Sequence, residues 1–128
     1  MQEKFTFEYA IIRVVPRVER EEFLNVGVIV FCKRPAFLEM KYVLDEKRIL
    51  ALYPKIDLED VRQHLQAFEQ ISKGNKEAGP IALLDHAARF RWLTAKRSTV
   101  VQTSAVHPGI CSDAEKTVEK LLEQLVVS

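Results

Sequence analysis

Arg13 is the most pointed chemical feature of this chain. It stands in Tyr9-Ala10-Ile11-Ile12-Arg13-Val14-Val15, and a guanidinium withdrawn from water there must find anions or carbonyls to offset its desolvation. If the segments flanking residues 16–22 form a symmetric hairpin, Asn25 opposes Arg13 and Gly27 opposes Ile11. Gly27 interrupts a valine-rich run, where a glycine weakens a strand unless it permits a bulge or the close approach of another group. Two chemistries fit. In one, Arg13 pairs with a carboxylate such as Glu22 or Asp45 and braces the hairpin. In the other, Arg13 and Asn25 form a small polar site that holds an anion or a partner's backbone.

A second feature is segregated charge. Residues 86–112 contain Arg89, Arg91, Lys96 and Arg97 and no acid, whereas residues 113–128 carry four acids and only Lys116 and Lys120 as cations. With Phe90 and Trp92 interleaved, the basic segment has the ingredients of a phosphate-contacting surface with a stacking ring, which would suit nucleic acid or another anion. The competing reading makes Phe90 and Trp92 core anchors with the arginines at their rim.

Other chemistries lack their residues. The four glycines are scattered, so no phosphate-cradling loop is built. His64, His86, His107, Cys32 and Cys111 form no close ligand pair, so no metal and no cofactor is expected. His107-Pro108-Gly109 has turn composition. An enzyme would have to use Glu22 or a histidine as general base with Arg13 holding an anion, and would need Arg13, Glu22 and His107 to share one pocket.

The elements that must position these residues are legible from periodicity. A chain of 128 residues with 48% hydrophobic and 29% charged side chains fits one domain spanning residues 1–128. A net charge of +1 excludes a uniformly basic binder. Strands are expected over residues 5–15, 23–32 and 37–44, the last with Leu38, Met40, Tyr42 and Leu44 inward and Glu39 and Lys41 facing water. Asp45 opens a short helix stopped at Pro54. Asp57 caps a longer one carrying Leu58, Val61, Leu65, Phe68 and Ile71 and ending at Gly74. Pro80 fits the first turn of a third helix with Ile81, Leu84 and Ala88. Residues 98–106 have the composition of a returning strand, and Ser112 with Glu115 forms a capping box before Val118, Leu121, Leu122, Leu125 and Val126. The order βββααα(β)α predicts an α+β fold, an antiparallel sheet of about four strands with helices packed on it.

No apolar run reaches the ~20 residues of a membrane span, and the start leads straight into a strand-like segment, so neither a membrane nor a secretory leader is expected. Two cysteines are too few for a disulfide framework and fit reduced, inert thiols in a cytoplasmic protein. An exposed third strand would invite pairing into a homodimer, against which its outward Glu39 and Lys41 act.

The hairpin resembles that of a bacterial family, the domain of unknown function 3037. The likeness rests on the strand ending Arg13-x-x-Pro16, the loop with Arg20 and Glu22, and the strand Asn25-Val26-Gly27-Val28. The family has no assigned activity. Its members resemble companions of small HipA-like kinases, which implies a regulatory or protein-binding role. A motif of Arg, Pro, Glu, Asn and Gly, without nucleophile or metal ligand, suits a brace or a recognition surface. The leading expectation is therefore a non-catalytic domain that acts through a protein partner, with a kinase-like partner implied by the resemblance.

Overall fold

β-branched and aromatic residues alternate along β1 (Phe5–Val14), and both edges of that strand are paired. The computed structural model describes residues 3–127. On one side β1 pairs with β2 (Leu24–Cys32), which pairs in turn with β3 (Phe37–Tyr42). On its other side β1 takes two short strands in succession, β4 (Val101–Thr103) and β5 (His107–Cys111), and every pairing is antiparallel. The returning strand expected over residues 98–106 is the three-residue β4, and β5 is a further strand just beyond that span. Between them Ser104 keeps the β1 backbone satisfied: Ile11 N donates to Ser104 Oγ at 2.8 Å, and Ser104 N donates to Ile11 O at 2.8 Å. His107-Pro108-Gly109 is strand, not turn. Pro108 is tolerated because β5 lies at the sheet edge, and Gly109 is covered by the Phe7 ring.

Period-two alternation gives this sheet two apolar faces. Ala10, Ile12 and Val14 join Ile29, Phe31 and Met40 under α1 (Glu46–Leu52), α2 (Leu58–Ser72) and α3 (His86–Leu93). Phe5, Phe7 and Tyr9 join Val28, Val30 and Cys32 under α4 (Ala114–Leu122), which runs on into a π turn, Glu123–Val127. The fold is α+β with helices on both faces. The face of β3 expected to see water is instead partly covered by α4, and Lys41 lies 3.5 Å from Glu119 on that helix. The cause is the α4 stripe of Val118, Leu121, Leu122, Leu125 and Val126, which needs an apolar surface that only this side of the sheet still offers.

Helix ends follow local chemistry. Asp45 and Asp57 accept from Arg48 N at 3.2 Å and Asp60 N at 3.1 Å, and Gly74 takes φ 71° after α2. The helix expected from Pro80 is divided: Pro80–Leu83 is a 3-10 turn, and Asp85 caps α3 by accepting from Ala88 N at 2.8 Å. Asp113, not Ser112, caps α4, accepting from Lys116 N at 3.1 Å. β5 keeps the chain extended through Cys111, and Asp caps as well as Ser.

A bulge sets the register of the hairpin. Ile12 opposes Gly27 and Arg13 opposes Asn25, so Val26 is an extra residue. The expected Arg13–Asn25 pairing stands, while Ile11 opposes Val28 rather than Gly27. Val26 consequently packs with Ile29 and Phe31 under α1–α3, instead of sharing the face of Val28, Val30 and Cys32. A Cβ at Gly27 would lie 2.6 Å from Lys41 O and 2.7 Å from Tyr42 Cβ. Gly27→Ala should therefore lower stability by about 2–3 kcal/mol through overpacking, read as a lower urea midpoint.

The two cysteines lie on strands that flank β1 on opposite sides, Cys111 facing Phe5 and Cys32 on β2. Both thiols are free, and the Cys111 thiol comes within hydrogen-bond reach of Cys32. Burial, and secondarily the neighbouring Cys111 thiol, pushes the Cys32 thiol up to about 11. A thiol reagent at about pH 8 should label native protein at Cys111 and spare Cys32 until unfolding. Because the unfolded thiol ionises first, stability should fall as pH rises from about 9 towards 11, and Cys32→Ala should flatten that part of the profile.

Candidate functional site: an unpaired arginine beside the C-terminal helix

Register places Arg13, Phe23 and Asn25 together on the α4 side of the sheet. Asn25 Nδ2 donates to Leu125 O at 3.3 Å, and Arg48 Nη1 from α1 donates to Val126 O at 3.4 Å. The terminal carbonyls of the C-terminal helix are thus clasped from the sheet and from α1, which satisfies acceptors that a helix end otherwise leaves to solvent.

Arg13 has no such engagement. Its guanidinium sits 4.0 Å from the centroid of the Phe23 ring, a cation–π contact. Its Nε is buried without a hydrogen-bond partner, as is Asn25 Oδ1. Burial alone lowers the guanidinium's pKa from its ordinary value. Among the described residues no carboxylate pairs with it: Glu22 is ion-paired with Arg20, and Asp45 caps α1. Exposed apolar side chains lie against the arginine and around a cavity beside its strand partner Asn25. Phe23 is 45% exposed, and Val43 and Val127, at 45% and 52%, line a cavity with Leu24, Asn25 and Arg48. Chemically the arrangement is a cation short of an anion, framed by apolar surface.

The other sequence-predicted residues lie elsewhere. Gly27 acts through the bulge. Glu22 lines a separate pocket of about 150 Å³ with Pro16, Arg20 and Tyr53. The His107 ring lies tilted against Tyr9, 5.3 Å between centroids, and opposes it in the sheet, four residues and about 13 Å along β1 from Arg13. Arg13, Glu22 and His107 are therefore not brought to one point. Among the described residues no group of three His, Cys, Asp or Glu is placed to hold a metal.

The basic segment belongs to the opposite face and diverges. Arg89 is buried and donates to Ile71 O at 3.2 Å and Ser72 O at 3.0 Å, closing the C-terminal end of α2. Arg97 folds onto Trp92 and Phe68, 4.6 and 4.9 Å from their ring centroids, and burial lowers its pKa. Phe90 is fully buried and stacks on Phe31, whereas Trp92 remains 39% exposed. Arg91 turns toward the far end of the sheet and Lys96 is exposed.

A family model described as a protein of unknown function (DUF3037) matches residues 9–126. The chain belongs to that family. No curated protein and no solved structure matches it. The DUF3037 match takes in the hairpin, Arg13, Asn25 and the C-terminal turn that Asn25 clasps. No described helix of this DUF3037 chain is long and apolar enough to cross a membrane. Phe23 and Arg48 were not singled out from sequence. Phe23 reads there as a strand residue, and Arg48 lies 78 residues from the carbonyl it meets.

Arg89 provides the sharpest test of this division. Arg89→Ala should cost about 3 kcal/mol by removing two charge-assisted bonds to buried carbonyls, while Lys96→Ala should stay within about 0.5 kcal/mol of the parent in urea unfolding.

Proposed function

We propose that this DUF3037 chain is a non-catalytic, bacterial cytoplasmic domain that acts through a protein partner, and that the partner presents a carboxylate beside an apolar side chain to Arg13 and Phe23. The observation that carries the reading is the unpaired, partly desolvated guanidinium on an exposed aromatic ring. A guanidinium already withdrawn from water has less desolvation left to undergo on binding, so an arriving carboxylate gains a charge-assisted, forked hydrogen bond at reduced cost. Arginine and aromatic residues ringed by apolar surface are also the composition of interface hot spots. HipA-like kinases, the companions that the family resemblance implies, are the first partners to examine.

The test is isothermal titration of the purified protein with a purified HipA-like kinase, using parent, Arg13→Ala, Phe23→Ala and Lys96→Ala forms verified as folded by circular dichroism. Arg13→Ala and Phe23→Ala should each weaken the complex about ten-fold or more, and Lys96→Ala should leave it unchanged. Absence of a complex, or a complex indifferent to Arg13 and Phe23, overturns the proposal.

A further inference from the structure

The helical layer does not reach the whole of its face of the sheet. Ala10, Ile12 and Val14 are covered by α1–α3, but Thr6 and Glu8, on the same side of β1, are beyond them. The Phe31–Phe90 stack, 5.1 Å between centroids, marks the limit of the core. Past it opens a cleft of about 290 Å³ bordered by Thr6, Glu8, Phe31, Lys33, Arg91 and Pro108. That is just under the usual range for ligand cavities, roughly 300–1,000 Å³, and suits a small ligand.

Its charges are arranged unusually. Glu8 is fixed by its backbone pairing, opposite Phe31 on one side and Pro108 on the other. One of its carboxylate oxygens is buried and accepts no hydrogen bond. Lys33 comes from the β2–β3 turn and Arg91 from α3, and among the described residues neither cation forms an ion pair with Glu8. A partly desolvated carboxylate and two cations therefore border the same space without neutralising one another, while Phe31 and Pro108 give it apolar walls.

We infer that this cleft binds a free α-amino acid with an apolar side chain, its ammonium group on Glu8, its carboxylate on Lys33 and Arg91, and its side chain against Phe31 and Pro108. The charge pattern selects the zwitterion. A simple carboxylate would meet the uncompensated Glu8, and a simple amine would meet Lys33 and Arg91; only a ligand carrying both charges satisfies all three groups. The site is separate from the Arg13 surface, lying on the opposite face and five residues, about 17 Å, along β1.

The experiment is titration of ¹⁵N-labelled protein with L-leucine and L-phenylalanine, beside 4-methylpentanoate, which lacks the ammonium group, and 3-methylbutylamine, which lacks the carboxylate. At least one amino acid should bind about ten-fold or more tightly than either single-charge analogue and shift the amides of Glu8, Lys33 and Arg91. Glu8→Gln should reduce that affinity about ten-fold while leaving the Tm near the parent's. Should Glu8→Gln fail to fold, the four-ligand series on the parent protein decides the matter. No shift at these amides up to about 10 mM ligand, or 4-methylpentanoate binding as well as L-leucine, overturns the inference.

Discussion

Between β2 and β3 there is no room for a side chain at position 27, and the arrangement of the whole sheet depends on that contact. With Gly27 in place the strands close to ordinary spacing and the extra residue, Val26, bulges toward α1–α3. The bulge changes parity along β2. N-terminal to it, Asn25 faces α4; beyond it, Val28, Val30 and Cys32 face the same helix, so one strand supplies both cores and still presents an amide to the C-terminal turn. A regular strand would offer one alternation only and would lose one of those contacts.

Two arginines show how burial differs from function. Arg89 is the more deeply buried, and although its Nε, like that of Arg13, has no partner, its Nη1 donates to the two carbonyls that end α2, so its role is to complete a helix. Arg13 is only half-buried, yet it has an aromatic ring and no anion. The visible ion pairs, Arg17–Glu19, Arg20–Glu22 and Arg62–Glu46, are exposed, where water and salt screen them and they add little to stability. The fold therefore rests on its two apolar cores, and an unpaired Arg13 can persist because those cores supply the stability.

β1 is the shared support of the polar features. It is paired on both edges, and helices cover one face at Phe5, Phe7 and Tyr9 and the other from Ala10 onward, so its backbone is held at both ends. Glu8 borders the cleft on the α3 side, and Arg13 lies on the α4 side. Each lies near the end of a helical layer, where an apolar core gives way to solvent and a charged side chain can be partly stripped of water without being enclosed.

Local interactions made much of this legible in the linear chain. Asp45, Asp57 and Gly74 mark helix ends because capping involves residues three or four apart. Leu58, Val61, Leu65, Phe68 and Ile71 mark a helix face because its period is built into the backbone. The Arg13–Asn25 pairing followed from a short loop. What the sequence could not determine were contacts between distant segments. That α4 packs across β3, that residues 107–111 complete the sheet, and that Arg48 and Asn25 reach carbonyls 78 and 100 residues away are all settled in the tertiary structure. Composition placed Arg13 in a strand and required a partner for it; Glu22 and Asp45 are engaged by Arg20 and Arg48 N, two and three residues away, at lower entropic cost than Arg13 would demand across the sheet, and only packing decided that the ring of Phe23 would lie against the guanidinium instead.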